Sequence, residues 1–282
     1  MSSKKIQNQE VFSKALCDQL FQAVLVHDDL HLNAALPAEI HLDYSVEQFE
    51  RCYQICWQVW SEGTSRTELL ELLEKIAQLR MLDMQEQLAF KNMRAKFKHL
   101  RFAFVTLDNS HQYPRLFHFL TGEMGKLQDA FKNQQEAALK RSLFILKFFL
   151  KKLPYALITR RLNQFQPTST ANFQDYVNHE IHFIRAHLAQ GKITSKIFHE
   201  MRKVISRQVA LYDNLKTLYP STYHDAISRY LSTLNGLMGS MHDDLIIDKF
   251  NNKQNYYDGV IEIPADIQLR LNTLTAKYQV PR

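Results

Sequence analysis

The chain has 282 residues, of which 45% are apolar and 11% aromatic, but only seven are glycine and seven proline. That is less than half the usual combined share of about 12%, which excludes loop-rich β-sandwich, collagenous and Gly/Pro-rich disordered classes and leaves a folded, largely helical protein. The net charge of +6 conceals a gradient: residues 1–87 carry 7 basic and 14 acidic groups, residues 88–161 carry 15 and 4, and residues 162–282 carry 13 and 11. A basic middle flanked by an acidic front and a nearly neutral rear points to a polyanionic or membrane-surface partner.

Apolar spacing predicts helices along nearly the whole chain. The first runs over about 12–31. Ser45 opens the capping-box pattern Ser-Val-Glu-Gln and leads into a helix that carries Phe49, Cys52, Tyr53, Cys56, Trp57 and Trp60 on one apolar face and ends at Gly63. Residues 64–107 contain no glycine or proline and predict one long helix or two in near-continuity. Further helices are expected over 113–131, 135–164 with a bend or break at Pro154, 172–190 ended by Gly191, 194–219, 221–250 and 265–278. The alternating stretches 39–43 and 260–263 have the pattern of a small two-stranded ribbon joining the ends of the fold.

The opening MSSKKIQNQE lacks the apolar core of a signal peptide, and no run approaches 18 apolar residues. Three cysteines, an odd and sparse set, fit a reducing cytoplasmic setting. Cys52 and Cys56, one turn apart, read as core-facing thiols.

Four of the seven glycines fall in two matching segments. Leu120-Thr-Gly122-Glu-Met124-Gly125-Lys-Leu127-Gln128-Asp129 aligns with Leu234-Asn-Gly236-Leu-Met238-Gly239-Ser-Met241-His242-Asp243, and upstream Phe90-Lys91-Asn-Met93-Arg94 aligns with Phe198-His199-Glu-Met201-Arg202. Glycine inside a helix costs about 1 kcal/mol, so its repeated use implies close packing of a neighbouring helix. The chain thus divides into an N-terminal helical extension (1–44) and two similar helical-bundle halves, 45–164 and 165–282.

Each half carries a basic row. Lys91, Arg94, Lys98 and Arg101 follow one helix face, with His99 alongside and Lys140, Arg141 and Lys147 on the following helix. In the second half the row is thinner: His199, Arg202, Lys203 and Arg207, with Ser206 and Val209 where Lys98 and Arg101 stood. Like charges at this spacing repel, and a linear anion bridging them relieves the repulsion. The sequence Lys91-x-x-Arg94-Ala-Lys-Phe-Lys98-His99-Leu100-Arg101, its counterpart His199-x-x-Arg202-Lys203-x-x-Ser206-Arg207, and the Gly125-x-x-Gln-Asp129 and Gly239-x-x-His-Asp243 segments resemble the paired motifs of the CHAD (conserved histidine α-helical domain) family. The resemblance covers about 45–250. It implies an all-α fold of two pseudo-twofold-related bundle halves, a non-catalytic role in binding inorganic polyphosphate, and no cofactor. Lys91 in place of the name-giving histidine, with Ser206 and Val209, marks a divergent member.

Other functions fit the same residues less closely. Nucleic acid would engage the same cations, although the spacing of Phe97, Phe102 and Phe104 suits a core better than base stacking. Helices 45–62 and 135–153 are apolar enough for a protein-scaffolding face. His27 and His31, spaced i, i+4, could ligate a metal with a distant carboxylate, and His242-Asp243-Asp244 could contribute to a metal-dependent phosphohydrolase site whose other ligands are not identifiable.

Overall fold

A computed structural model of the chain describes residues 10–79, 81–250 and 259–278; the opening run of the sequence lies outside them. Among the described residues there are eleven helices and one two-stranded antiparallel sheet. The chain forms two compact units, one of Met1–Leu25 and Glu47–Thr168, the other of Val26–Val46 and Ser169–Arg282. The first 44 residues are therefore shared between the units.

The first unit contains α1 (Lys14–Leu25), α2 (Val46–Gly63), α3 (Arg66–Leu79), α4 (Met84–Leu107), α5 (Arg115–Lys132), α6 (Glu136–Phe149) and α7 (Lys152–Leu162). The proline-free stretch after Gly63 is two helices because Asp83 starts a new one. Its carboxylate accepts from the Glu86 backbone N–H at 2.9 Å while Glu86 accepts from the Asp83 N–H at 3.1 Å, closing a capping box. The break expected at Pro154 lies upstream of it, between Phe149 and Lys152. Proline clashes with the carbonyl four residues before it, here Leu150, but is tolerated in a first helical turn, where its missing N–H is not needed. The Leu150 carbonyl instead accepts from Arg66 Nη1 at 2.8 Å.

Aromatic side chains make up much of this unit's core. Trp60, Phe97 and Phe117 meet at centroid distances of 5.2–5.7 Å, and Tyr53 stacks on Phe165 at 3.7 Å while donating its hydroxyl to the Leu162 carbonyl. Phe97, Phe102 and Phe104 are all buried, as are the three cysteines. Trp57 alone of the predicted α2 face stays half-buried.

The second unit contains α8 (Thr170–Leu188), β1 (Lys192–Thr194), α9 (Ser195–Leu218), α10 (Thr222–Phe250), β2 (Val260–Glu262) and α11 (Ala265–Lys277). The expected ribbon partner is corrected here. β2 pairs with β1, Ile193 opposite Ile261, whereas Ile40 makes an isolated bridge to Tyr278. β1 is too short for alternation to register: Gly191, at φ +72°, turns the chain into it, and Thr194 already caps α9.

The core of this unit is unusually polar. Gln208, Asp213, Asn214 and Thr217 of α9 and Ser228, Ser232, Thr233 and Asn235 of α10 are buried. Part of this polarity stitches residues 26–31 to α10: Ser232 Oγ donates to the Val26 and Asp29 carbonyls, Thr233 Oγ1 accepts from the His31 N–H, and Asn235 Nδ2 donates to the His27 carbonyl. Gly236 permits this approach, because a Cβ there would lie 2.2 Å from the Asp28 carbonyl oxygen. Gly122 of α5 has open space where its Cβ would be. The single packing explanation expected for all four glycines therefore holds in backbone terms for Gly236 and not for Gly122. Gly236→Ala is expected to lower thermal stability by about 2 kcal/mol or more through overpacking. Gly122→Ala is expected to raise it by about 1 kcal/mol through helix propensity. Paired denaturant melts check both.

Asp213 is fully buried between Lys216 Nζ (3.0 Å) and Ser228 Oγ (3.2 Å). Burial raises its carboxyl from the usual 3.8 to about 6, against the opposing pull of Lys216. Between those values the folded state holds a proton that the unfolded chain has released, so this group's contribution to stability falls as pH rises. Asp213→Asn is expected to stabilise the protein by about 1–2 kcal/mol above pH 7 and much less at pH 4. Melting temperatures across that range measure it.

Candidate functional site

A helix that packs on several sides cannot leave its cations fully in water, and α4 carries five of them after its last acid, Glu86. Four of the five have a specific neighbour. Lys96 donates to the Gly63 carbonyl at 2.8 Å and stands 4.4 Å over the Phe21 ring; burial lowers its pKa. Arg94 lies against α5, where a Cβ at Gly125 would be 3.0 Å from its Nη2, and Nη1 donates to Gln128 Oε1 at 3.3 Å. Arg101 sits 4.8 Å over the Phe102 ring and 5.6 Å over Tyr113, whose ring in turn meets that of His118 at a tilt. Lys98 Nζ lies 5.7 Å from the centroid of the same Phe102 ring. Arg94, Lys98 and Arg101 are half-buried and Lys91 is exposed, so the row runs along the α4–α5 seam with Gln128 at one end and Tyr113 at the other.

His99 does not join the row; it is buried. Lys140, Arg141 and Lys147 also lie apart, on α6, which packs on α5 and α3. Lys140 pairs with Glu136 at 2.9 Å and Lys147 with Glu74 at 2.7 Å, while Arg141 is exposed.

In the second unit Arg202 of α9 lies against Gly239 of α10, its Nη2 3.2 Å from the place of a Cβ. Beside it His199 stacks on His242 at 4.7 Å and 27°. The glycines therefore serve arginine side chains at Gly125 and Gly239, not a neighbouring helix backbone. Lys203 pairs with Glu200 at 2.7 Å. Arg207 is turned inward to a buried ion pair with Glu180, which also accepts from the Tyr176 hydroxyl at 2.9 Å. Ser206 and Val209 are buried, and Ser206 Oγ donates to Asn235 Oδ1 at 2.8 Å. At the position matching Lys98, Ser206 is thus engaged with Asn235, which itself donates to the His27 carbonyl.

Tyr113 escaped the sequence reading because an aromatic in a loop carries no periodic signal. Gln128 and His242 occupied the same register in the aligned segments, which was the available clue to their shared placement beside the arginines. The proposed metal pair His27 and His31 is corrected: α1 ends at Leu25, so the two do not share a helix face. Among the described residues no group of three or more His, Cys, Asp or Glu side chains is placed to hold a metal ion. No helix among them is long and apolar enough to cross a membrane. Comparison with family models, with curated proteins and with solved structures finds no match.

Burial lowers the His199 pKa from 6.5 to about 3, with Lys203, His242 and Arg202 acting in the same direction. His242 is lowered by burial and Arg202, against the pull of Asp243. Both imidazoles are neutral donor–acceptors at pH 7. Between 6.5 and about 3 the unfolded chain binds a proton at His199 that the folded state refuses, so stability is lost as pH falls through this window. His199→Gln is expected to make the protein less acid-labile there, as followed by melting temperature against pH.

Proposed function

We propose that this chain is a divergent CHAD-family protein that binds inorganic polyphosphate, or a similar linear polyanion, without catalysing a reaction on it. Its two helical-bundle halves are versions of one motif, and Lys91, Arg94, Lys98 and Arg101 form the principal contact row. His199, Arg202 and Lys203, joined by His242, form a second and weaker one. The observation that carries this reading is the support of the α4 cations by glycine and aromatic side chains: Arg94 rests on Gly125 and Arg101 on Phe102 and Tyr113. Such support fixes cations in a row at helical spacing with little entropy left to lose, and guanidinium forks then donate to the oxygens of successive phosphates.

The burial of Phe97, Phe102 and Phe104 favours polyphosphate over single-stranded nucleic acid, since the aromatic faces beside the row are used within the fold. Binding is expected to weaken with salt and to ignore base sequence. Arg94→Glu with Lys98→Glu should reduce affinity for polyphosphate at least tenfold, by about 1.4 kcal/mol or more, with circular dichroism unchanged. Calorimetric titration with polyphosphate, and competition by RNA at matched salt, checks this. Equal affinity in the double variant, or far tighter binding of RNA, rejects the proposal.

A further inference from the structure

We propose that the first unit docks on anionic lipid bilayers through an apolar patch on α5, α6 and α7 that adjoins the Tyr113 end of the α4 row but uses none of its cations. Large apolar side chains are exposed there in number: Phe144 is 75% accessible, Leu153 81%, Leu157 59% and Phe148 48%. They form one surface. Phe144 and Phe148 stand one turn apart on α6, and Leu153 and Leu157 one turn apart on α7. Phe148 and Phe149 meet at 5.3 Å, Phe149 meets the exposed Phe119 of α5 at 5.4 Å, and Leu157 lines a shallow cleft with the exposed Leu116. Contiguous exposed apolar surface of this kind marks a site for another macromolecule or a membrane.

The rim decides between them. Residues 136–162 contain seven lysines and arginines and one acid, Glu136. Arg141, Lys152 and Arg160 are exposed and make no ion pair among the described residues, and Lys151 lies 5.9 Å over the Phe148 ring. Lysine is depleted from protein interfaces, whereas long basic side chains around Phe and Leu are the make-up of surfaces that lie in the headgroup region, apolar stems down and charges on acidic headgroups. A second copy of this chain is disfavoured, because a twofold contact through the patch would set this basic rim against itself. On α5, helical geometry puts Phe119 about 120° and Leu116 about 180° round from Gly125, so the patch faces away from the seat of Arg94 and meets the row at Tyr113. The inference therefore stands whether or not the α4 row binds polyphosphate.

Flotation of the full chain tests it, using vesicles of phosphatidylcholine alone and with about one third phosphatidylglycerol, a composition that gives a negative surface potential. The chain is expected to float with the acidic vesicles and not with the neutral ones. Phe144→Ser with Phe148→Ser should weaken this partitioning about tenfold or more, since two large apolar side chains no longer insert. Arg141→Glu with Lys152→Glu should do the same, while Arg94→Glu with Lys98→Glu should float like the parent chain. All these positions are exposed or half-buried, and unchanged melting curves confirm that folding is intact. Absence of flotation with acidic vesicles overturns the proposal. So does full flotation of the phenylalanine variant, or a dimer in sedimentation that this variant converts to monomer.

Discussion

The central constraint on the first unit is that α4 must bury most of its surface while carrying a row of positive charges. Desolvating an ammonium or guanidinium without compensation is prohibitive, so the neighbours of α4 are selected around its cations. Gly63 supplies a carbonyl and Phe21 a ring to Lys96, Gly125 a flat seat to Arg94, and Phe102 and Tyr113 their faces to Arg101. Acids are few in this region, four carboxylates over residues 88–161, and aromatic faces and a backbone oxygen contribute to the support of the cations.

The second unit solves a related problem in the opposite manner. Arg207 is neutralised internally by Glu180, and Asp213 is met by Lys216, although burial still holds its carboxyl above the usual range. Only the end of α9 near Arg202 retains the arginine-on-glycine arrangement, next to two histidines that burial keeps neutral. The two seams thus differ in extent: a long row in one unit, a short cluster in the other.

Most helices were legible because apolar periodicity and end signals agree over long stretches, as in α2 between Ser45 and Gly63. What was not legible depended on groups distant in sequence or on signals shorter than a period. The capping box at Asp83 lay inside a run judged only by its lack of glycine and proline. Pro154 broke the helix four residues earlier than its own position, a displacement that follows from which carbonyl its ring meets. The strand partner of Val260–Glu262 was missed because Lys192–Thr194 is three residues long. At the site, spacing alone placed Arg94, Lys98 and Arg101 on one face. It could not reveal that His99 turns inward, that Arg207 has a carboxylate from α8, or that glycines at matching positions meet an arginine in two places, a backbone carbonyl in a third and nothing in the fourth.

The burial of the cysteines has a practical corollary. Cys17, Cys52 and Cys56 are enclosed in the first unit, and enclosure pushes the Cys52 thiol up to about 12 and raises that of Cys17. Thiolate is the reactive form, so the folded chain offers maleimide or nitroxide reagents almost nothing to attack. A single cysteine introduced on any exposed helix face would be labelled selectively in the otherwise native sequence, and the chain is ready for distance and environment measurements without prior removal of its own thiols.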